Sequence, residues 1–242
     1  MTHVWLLFIL IIASHFDAVT PIVYSCDPKA ECGCSKTAAT LNKIVGGESA
    51  VLSSWGWAVS LQRTLGSTFC GGAIISPLHI LTAAHCIVNA SAFVQRAKVV
   101  VGIDTMPQST TAKAQVRSVV RIFSHPRYND KSQENDIAIL RLNEPLVISH
   151  DRGTAQLCLP HVLPTNGTGR YPIKDSPLVA IGWGVLQYQA SATPSDLRLQ
   201  QVTLNTMGRE NSMCQLTINN PQVQFCAAVL GGGKGKKTVK HS

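Results

Sequence analysis

The sequence predicts an all-β domain of the barrel or sandwich type. Eight apolar runs of four to nine residues, rich in Val and Ile, recur between turn-forming Gly, Pro, Asn and Ser residues. Sustained helical periodicity is absent, apart from a helical turn near residues 209–216. With 242 residues, 45% of them hydrophobic, the chain can form one large domain or two smaller ones. The predicted strands are residues 58–62, 72–75, 97–101, 115–123, 137–142, 178–183, 197–204 and 224–230.

The N-terminus has the pattern of a secretory signal peptide. Residues 1–18 begin with Met-Thr-His and continue as an apolar block that is shorter than the about 20 residues needed to cross a bilayer. A buried core strand is the alternative interpretation, and the cleavage position stays open. Residues 19–43 carry Cys, Pro, Ser, Thr and Ala without periodicity, which is typical of a propeptide or linker. We therefore expect a secreted, extracellular protein with no membrane partner.

The cysteines indicate disulfides rather than a metal site. There are eight, an even number, and in a secreted chain they are expected to pair. Cys32 and Cys34 are separated by one residue, so they do not form the Cys-x2-Cys half of a zinc site. We expect no metal and no cofactor. Asn89 and Asn166 begin Asn-x-Ser/Thr triplets, which predicts two glycosylated surface loops.

The net charge of +8 does not indicate a nucleic-acid partner, because half of it comes from four lysines in the C-terminal tail. The remaining charge is ordinary for a soluble domain. The Gly-rich, Lys-rich tail is not a phosphate-binding loop either. Leu230 stands where that motif needs glycine, and Lys237 stands where it needs Ser or Thr. The lysines of the tail are Lys234, Lys236, Lys237 and Lys240.

Two residues are candidates for acid–base chemistry. His85 directly precedes Cys86, which lies 16 residues after Cys70. A disulfide between these cysteines would stabilise the fold by about 3 kcal/mol and would hold the histidine in place. A general base needs a positioned imidazole and a second group that sets its tautomer. Asp136, at the start of an apolar strand, is the candidate for that second group.

With their flanking residues, these positions resemble the trypsin/chymotrypsin-like serine peptidase family. Seven motifs occur in the family's order and cover the chain from Ile44 to about Lys234. They are Lys43-Ile44-Val-Gly-Gly47, Cys70-Gly-Gly-Ala-Ile-Ile75, Thr82-Ala-Ala-His85-Cys86, His125-Pro126, Asn135-Asp136-Ile-Ala-Ile-Leu140, Leu157-Cys158-Leu-Pro160 and Gly182-Trp-Gly184.

The resemblance implies two six-stranded antiparallel β-barrels with the active site between them. The peptidase domain would span residues 44–234, with the first barrel at about 44–150 and the second at about 151–234. His85 would be the catalytic base and acid, and Asp136 would hold its tautomer. The Lys43–Ile44 bond resembles the activation site, which a trypsin-like peptidase would cut. The expected partners are protein or peptide substrates and inhibitors.

The family also implies a disulfide pattern. Cys70 would pair with Cys86, and Cys214 with Cys226. Cys158 would pair with Cys26, Cys32 or Cys34, and the remaining two of those three would pair with each other within the propeptide, which would stay tethered after activation. Asp104 stands nearly alone in the loop where calcium-binding relatives carry several carboxylates, so this comparison also predicts no metal.

The chain departs from the family after Lys234. Relatives continue to Gly-Asp-Ser-Gly-Gly-Pro around the nucleophile, whereas residues 235–242 form a basic tail. The nucleophilic serine, the oxyanion-hole amides and the pocket base are therefore absent from these 242 residues, and the second barrel is expected to be incomplete. No other serine has a Gly-x-Ser-x-Gly setting; the candidates considered are Ser191, Ser195 and Ser212.

Three interpretations follow from this departure. The first is a secreted serine endopeptidase family member whose full-length form hydrolyses peptide bonds, this chain being inactive. The second is a non-catalytic pseudoprotease that binds a partner. The third is a non-functional product of intron retention, because Gly235-Lys236 can be encoded with a splice-donor sequence. Sequencing of the transcript across the codon of Lys234 would distinguish the third from the others.

Overall fold

The computed structural model describes residues 21–27, 29–42, 47–64, 67–87, 92–93, 96–106, 112–160, 172–184, 197–208, 210–229 and 238–241. The expected signal peptide (residues 1–18), the Lys43–Ile44 bond and the glycosylation candidates Asn89 and Asn166 lie outside these ranges. Those expectations stay predictions.

Within the described residues the regular secondary structure is almost entirely β, as the apolar runs predicted. A 3-10 helix covers Ala84–Cys86, and α1 covers Ser212–Thr217. None of the described helices has the length and apolar character that a membrane span requires. The strands are β1 (Ile22–Tyr24), β2 (Ala39–Leu41), β3 (Glu48–Ser49), β4 (Ala58–Thr64), β5 (Ser67–Ser76), β6 (His79–Thr82), β7 (Lys98–Val101), β8 (Gln115–Ser124), β9 (Ala138–Leu142), β10 (Pro177–Gly182), β11 (Gln200–Met207), β12 (Phe225–Ala228) and β13 (Thr238–His241).

Six strands close the first barrel in the order β4-β5-β6-β9-β8-β7, with β4 also paired to β7. All of these pairings are antiparallel. Alternate residues point inward: in β9, Ala138, Leu140 and Leu142 are buried while Arg141 is exposed. The core is filled by aliphatic side chains, among them Leu61, Ile74, Ile80, Val99 and Leu140, each fully buried. The closed six-stranded barrel confirms the predicted trypsin-like fold class.

Four strands of the second half of the chain, together with β3, form a five-stranded sheet that is open in the described residues. Its order is β10-β11-β12-β13, and β3 pairs with β11. β13 comes from the basic tail, where the sequence predicted no strand; its backbone pairs antiparallel with β12, His241 lying opposite Phe225. A strand at a sheet edge needs few apolar contacts, because main-chain hydrogen bonds to its neighbour hold it.

Four disulfides use all eight cysteines. The structure pairs Cys70 with Cys86 and Cys214 with Cys226. Of the three alternatives for Cys158 it forms the bond with Cys32, and Cys26 pairs with Cys34. The Cys32–Cys158 bond holds the segment that carries the paired strands β1 and β2 against the rest of the chain, and Cys26–Cys34 closes a loop between those two strands.

Buried polar groups join the two halves. The amide of Gln201, 1% exposed, accepts a hydrogen bond from Trp55 Nε1 (2.8 Å) and donates to the carbonyl of Thr40 (2.7 Å). The carbonyl of Asp104 accepts from the Leu199 backbone N–H (2.7 Å). The Asp104 carboxylate accepts from the Ser53 N–H (2.8 Å). Asp104 therefore has a structural role in the loop that the comparison with calcium-binding relatives singled out.

Candidate active site

His85 lies on the 3-10 helix that follows β6. The disulfide from Cys86 to Cys70 on β5 ties this helix to the barrel wall. Three residues before His85, the Thr82 hydroxyl donates a hydrogen bond to the Gly71 carbonyl (2.8 Å). Ala84, which directly precedes His85, is buried in the barrel core. The main chain around His85 is therefore fixed, while its side chain stays 49% exposed.

Asp136 contacts His85 at two points. One carboxylate oxygen, Oδ2, lies 2.7 Å from His85 Nδ1, and the other, Oδ1, accepts the His85 backbone N–H at 2.8 Å. The Asp136 side chain is 11% exposed. Because a carboxylate only accepts hydrogen bonds, this contact assigns a proton to Nδ1 and leaves the lone pair of neutral His85 on Nε2. An imidazole in this state can take up a proton at Nε2.

The backbone before Asp136 is held in an uncommon conformation. Asn135 has a φ of 55°, in the left-handed region that asparagine tolerates better than most residues. Its side-chain amide donates to the Arg127 carbonyl (2.9 Å), and its own carbonyl accepts the Ile137 N–H (2.8 Å). This turn directs the Asp136 side chain back toward the 3-10 helix. The motif Asn-Asp identified Asp136, but the role of Asn135 was not predicted; the preference of asparagine for this conformation was the available signal.

Tyr128 packs on the same loop, and its surroundings raise the pKa of its phenol. Burial is the largest cause that raises its pKa above 10.0, followed by the hydrogen bond to Asp130 and the negative charge of Asp136. The phenol oxygen of Tyr128 donates to Asp130 Oδ1 at 3.1 Å. The ring also contacts the barrel core.

We expect the Tyr128 phenol to ionise above pH 10.0 in the folded protein. Since the folded state raises this pKa, the protonated phenol contributes stability that is present below pH 10.0 and is lost as the pH rises through the folded-state pKa. Absorbance titration of the phenolates should lose a component that ionises above pH 10.0 in Tyr128→Phe. In Asp130→Asn that component should move to lower pH. Loss of an early component in Tyr128→Phe would contradict the prediction.

A cluster of potential metal ligands surrounds the histidine but is not available to a metal. The ligand atoms of Cys70, His85 and Cys86 lie within 4.8 Å of one another, with His85 Nε2 3.5 Å from Cys86 Sγ. Zinc binds cysteine as a thiolate, and both sulfurs here share a disulfide.

A cavity of about 460 Å³ lies between the two halves of the chain. The first barrel lines it with β5 residues, including Cys70 and Gly72, and the second half lines it with residues from Ile181 to Gly184. Among the described residues, nothing lies within 4 Å of the position that a Cβ would take at Gly182 or Gly184, so this wall presents open main chain. Because Cys70 is bonded to Cys86, the cavity begins next to the His85 helix.

The structure thus brings His85 and Asp136 together, from positions 51 residues apart in the chain. Of the three serines considered as substitutes, Ser191 and Ser195 lie outside the described residues. Ser212 opens α1, beside Cys214 and the Cys214–Cys226 disulfide, and is exposed.

Residues 44–238 match the family model of trypsin. The chain belongs to the trypsin family. It is 32% identical over 197 residues to a trypsin of Phaedon cochleariae, an alignment that covers 79% of this chain and 69% of that protein. It is 35% identical over 147 residues to chymotrypsin-C of Bos taurus, covering 60% of this chain and 50% of that protein. The trypsin-family chain therefore matches about half the length of chymotrypsin-C.

Proposed function

We propose that this trypsin-family chain is a secreted member of the serine endopeptidases, in which His85 and Asp136 are the base and the orienting acid of a catalytic triad. The observation that carries the proposal is the two-point contact of Asp136 with His85, at 2.7 and 2.8 Å. Family membership supports it. Secretion is supported by the four disulfides, which are typical of extracellular proteins.

In the proposed reaction, His85 Nε2 takes the proton of a serine hydroxyl while the serine oxygen bonds to the substrate carbonyl carbon. The imidazolium, stabilised by the Asp136 carboxylate, then donates this proton to the leaving amine as the C–N bond breaks. A water molecule repeats the sequence and releases the acyl group. The 242 residues contain no Gly-Asp-Ser-Gly sequence, so we expect this chemistry only when further sequence supplies the serine.

Activation is proposed at the Lys43–Ile44 bond, by a peptidase that cuts after basic residues. The Cys32–Cys158 disulfide would keep the released segment attached after that cut. Protein or peptide substrates and inhibitors are the proposed partners.

A fluorophosphonate probe tests the proposal, since it labels serines activated by a neighbouring base. We expect no labelling of the 242-residue polypeptide. A chain extended from Gly233 with the corresponding C-terminal residues of the Phaedon trypsin should be labelled after cleavage at Lys43. Its His85→Ala variant should not be labelled, whereas the control His79→Ala, at a histidine that contacts Ser76 Oγ instead (2.9 Å), should be.

The closed first barrel favours one second candidate, a non-catalytic binding module. Failure of the extended chain to label, together with cooperative thermal unfolding of the 242-residue polypeptide, would favour that role. Labelling of the 242-residue polypeptide itself would contradict both the triad assignment and the expected inactivity.

A further inference from the structure

A buried glutamine in the second half of the chain contacts the loop that carries Asp136. Gln224, 5% exposed, directly precedes β12. Its side-chain nitrogen donates to the carbonyls of Ser132 (3.1 Å) and Gln133 (2.8 Å). Its side-chain oxygen accepts the backbone N–H groups of Asn219 (3.0 Å) and Asn220 (3.1 Å). Both hydrogens and both lone pairs of the amide are thus used, so its orientation is fixed.

The two acceptor carbonyls lie three and four residues before Asp136, on a tightly bonded turn. Gln133 has a φ of 56°, and its side chain donates to the Asp130 carbonyl (2.6 Å). The Asn129 N–H donates to the Glu134 carbonyl (3.1 Å), which closes the turn. A displacement at residues 132–133 is therefore transmitted to Asn135 and Asp136, because few freely rotating bonds separate them.

We propose that Gln224 is a positioning residue for Asp136, so that the second half of the chain holds the orienting acid of the first barrel against His85. This inference rests on the proposed function for the role of the His85–Asp136 pair. Asn219 assists, because its side-chain amide donates to the Ser132 carbonyl at 2.9 Å. The link is specific to this loop, since other contacts between the halves, such as that of Trp55 with Gln201, lie elsewhere.

The reporter is the backbone N–H of His85, whose acceptor is Asp136 Oδ1. Its hydrogen–deuterium exchange rate in the 242-residue chain measures how often Asp136 leaves its position. The fully buried Val100 reports global opening of the barrel. The ¹⁵N resonance of His85 Nδ1 gives a second signature, because it depends on the hydrogen bond to Asp136.

We expect Gln224→Glu and Gln224→Met to accelerate exchange of the His85 N–H about tenfold relative to that of Val100, the effect of losing a buried hydrogen-bonded link. In Gln224→Glu the side chain can still accept from the N–H groups of Asn219 and Asn220, but it can no longer donate to the carbonyls of the Asp136 loop. This variant therefore breaks the link between the two halves and leaves the local turn at residues 219–220 with its acceptor. The ¹⁵N resonance of Nδ1 should shift in both variants. Asn219→Ala should show a smaller acceleration, of about fivefold.

Two controls make the test specific. Gln222→Met is the same substitution at an exposed glutamine two residues away, and Trp55→Phe removes a different hydrogen bond between the two halves. Both should leave the ratio of His85 to Val100 exchange unchanged. Equal acceleration of both N–H groups in the Gln224 variants, or an unchanged Nδ1 resonance, would overturn the proposal. If neither Gln224 variant folds, Asn219→Ala is the test: selective acceleration of the His85 N–H supports the proposal, and equal acceleration of the His85 and Val100 N–H groups overturns it. None of these readouts requires hydrolysis, so their failure is distinct from failure of the proposed function.

Discussion

Asp136→Asn is expected to switch the tautomer of His85 and to remove its function as a base. In the native structure Asp136 Oδ1 accepts the His85 backbone N–H, and Oδ2 faces Nδ1. An asparagine must place its oxygen toward the backbone N–H, which is a donor in every state. Its NH2 group then faces Nδ1, which has to accept and therefore loses its proton to Nε2. An imidazole protonated at Nε2 cannot take the proton of a serine.

Nitrogen-15 NMR of the 242-residue chain measures this switch directly, without a nucleophile. We expect Nδ1 to change from a protonated to an unprotonated nitrogen, and Nε2 to change in the opposite sense. In a serine-bearing form, turnover should fall about ten-thousandfold, as this substitution does in serine peptidase triads. The matched control is Asp130→Asn on the same loop, whose carboxylate contacts Tyr128 instead. An unchanged His85 tautomer in Asp136→Asn would contradict the assignment of the two oxygens.

Removal of the Cys32–Cys158 disulfide is expected to give the largest loss of stability. The bond joins residues 126 positions apart, so it restricts the unfolded chain more than any other disulfide here. The chain-entropy relation gives a loss of about 5 kcal/mol in the free energy of unfolding for Cys32→Ser with Cys158→Ser. The segment around Cys32 keeps other contacts, because Gly33 N–H donates to Gln156 (2.7 Å) and Gly56 N–H donates to Ser35 Oγ (2.9 Å).

Denaturant unfolding under non-reducing conditions checks this loss. The control is the double substitution of Cys26 and Cys34 by serine, which opens a bond across only eight positions and should cost about 2.5 kcal/mol. Losses of equal size in the two double variants would contradict the loop-length argument. Gly33→Ala should also lower the free energy of unfolding, with both disulfides intact. The φ of Gly33 is 72°, and an added Cβ would lie 2.9 Å from Cys158 Sγ.

Local patterns predicted most of the strands, but not those without an apolar run. The apolar runs at 115–123 and 137–142 correspond to β8 and β9, because alternating burial in a barrel wall leaves a period of two in the sequence. The helical turn expected near 209–216 corresponds to α1. β6 has only two apolar residues, between His79 and Thr82, and β13 lies in a lysine-rich tail, so neither forms an apolar run that can be recognised. Their pairing depends on neighbours that are distant in the sequence.

By itself, the sequence determined the all-β class, the family and the candidate pair His85 and Asp136, because these follow from short motifs and local periodicity. Tertiary structure alone decided the partner of Cys158, since Cys26, Cys32 and Cys34 are nearly equivalent in sequence and only chain geometry brings Cys32 to it. It also decided the two-point contact of Asp136 and the link from Gln224, 91 residues from Gln133. Hydrogen bonds between such distant positions depend on the packing of whole strands, which leaves no local signature.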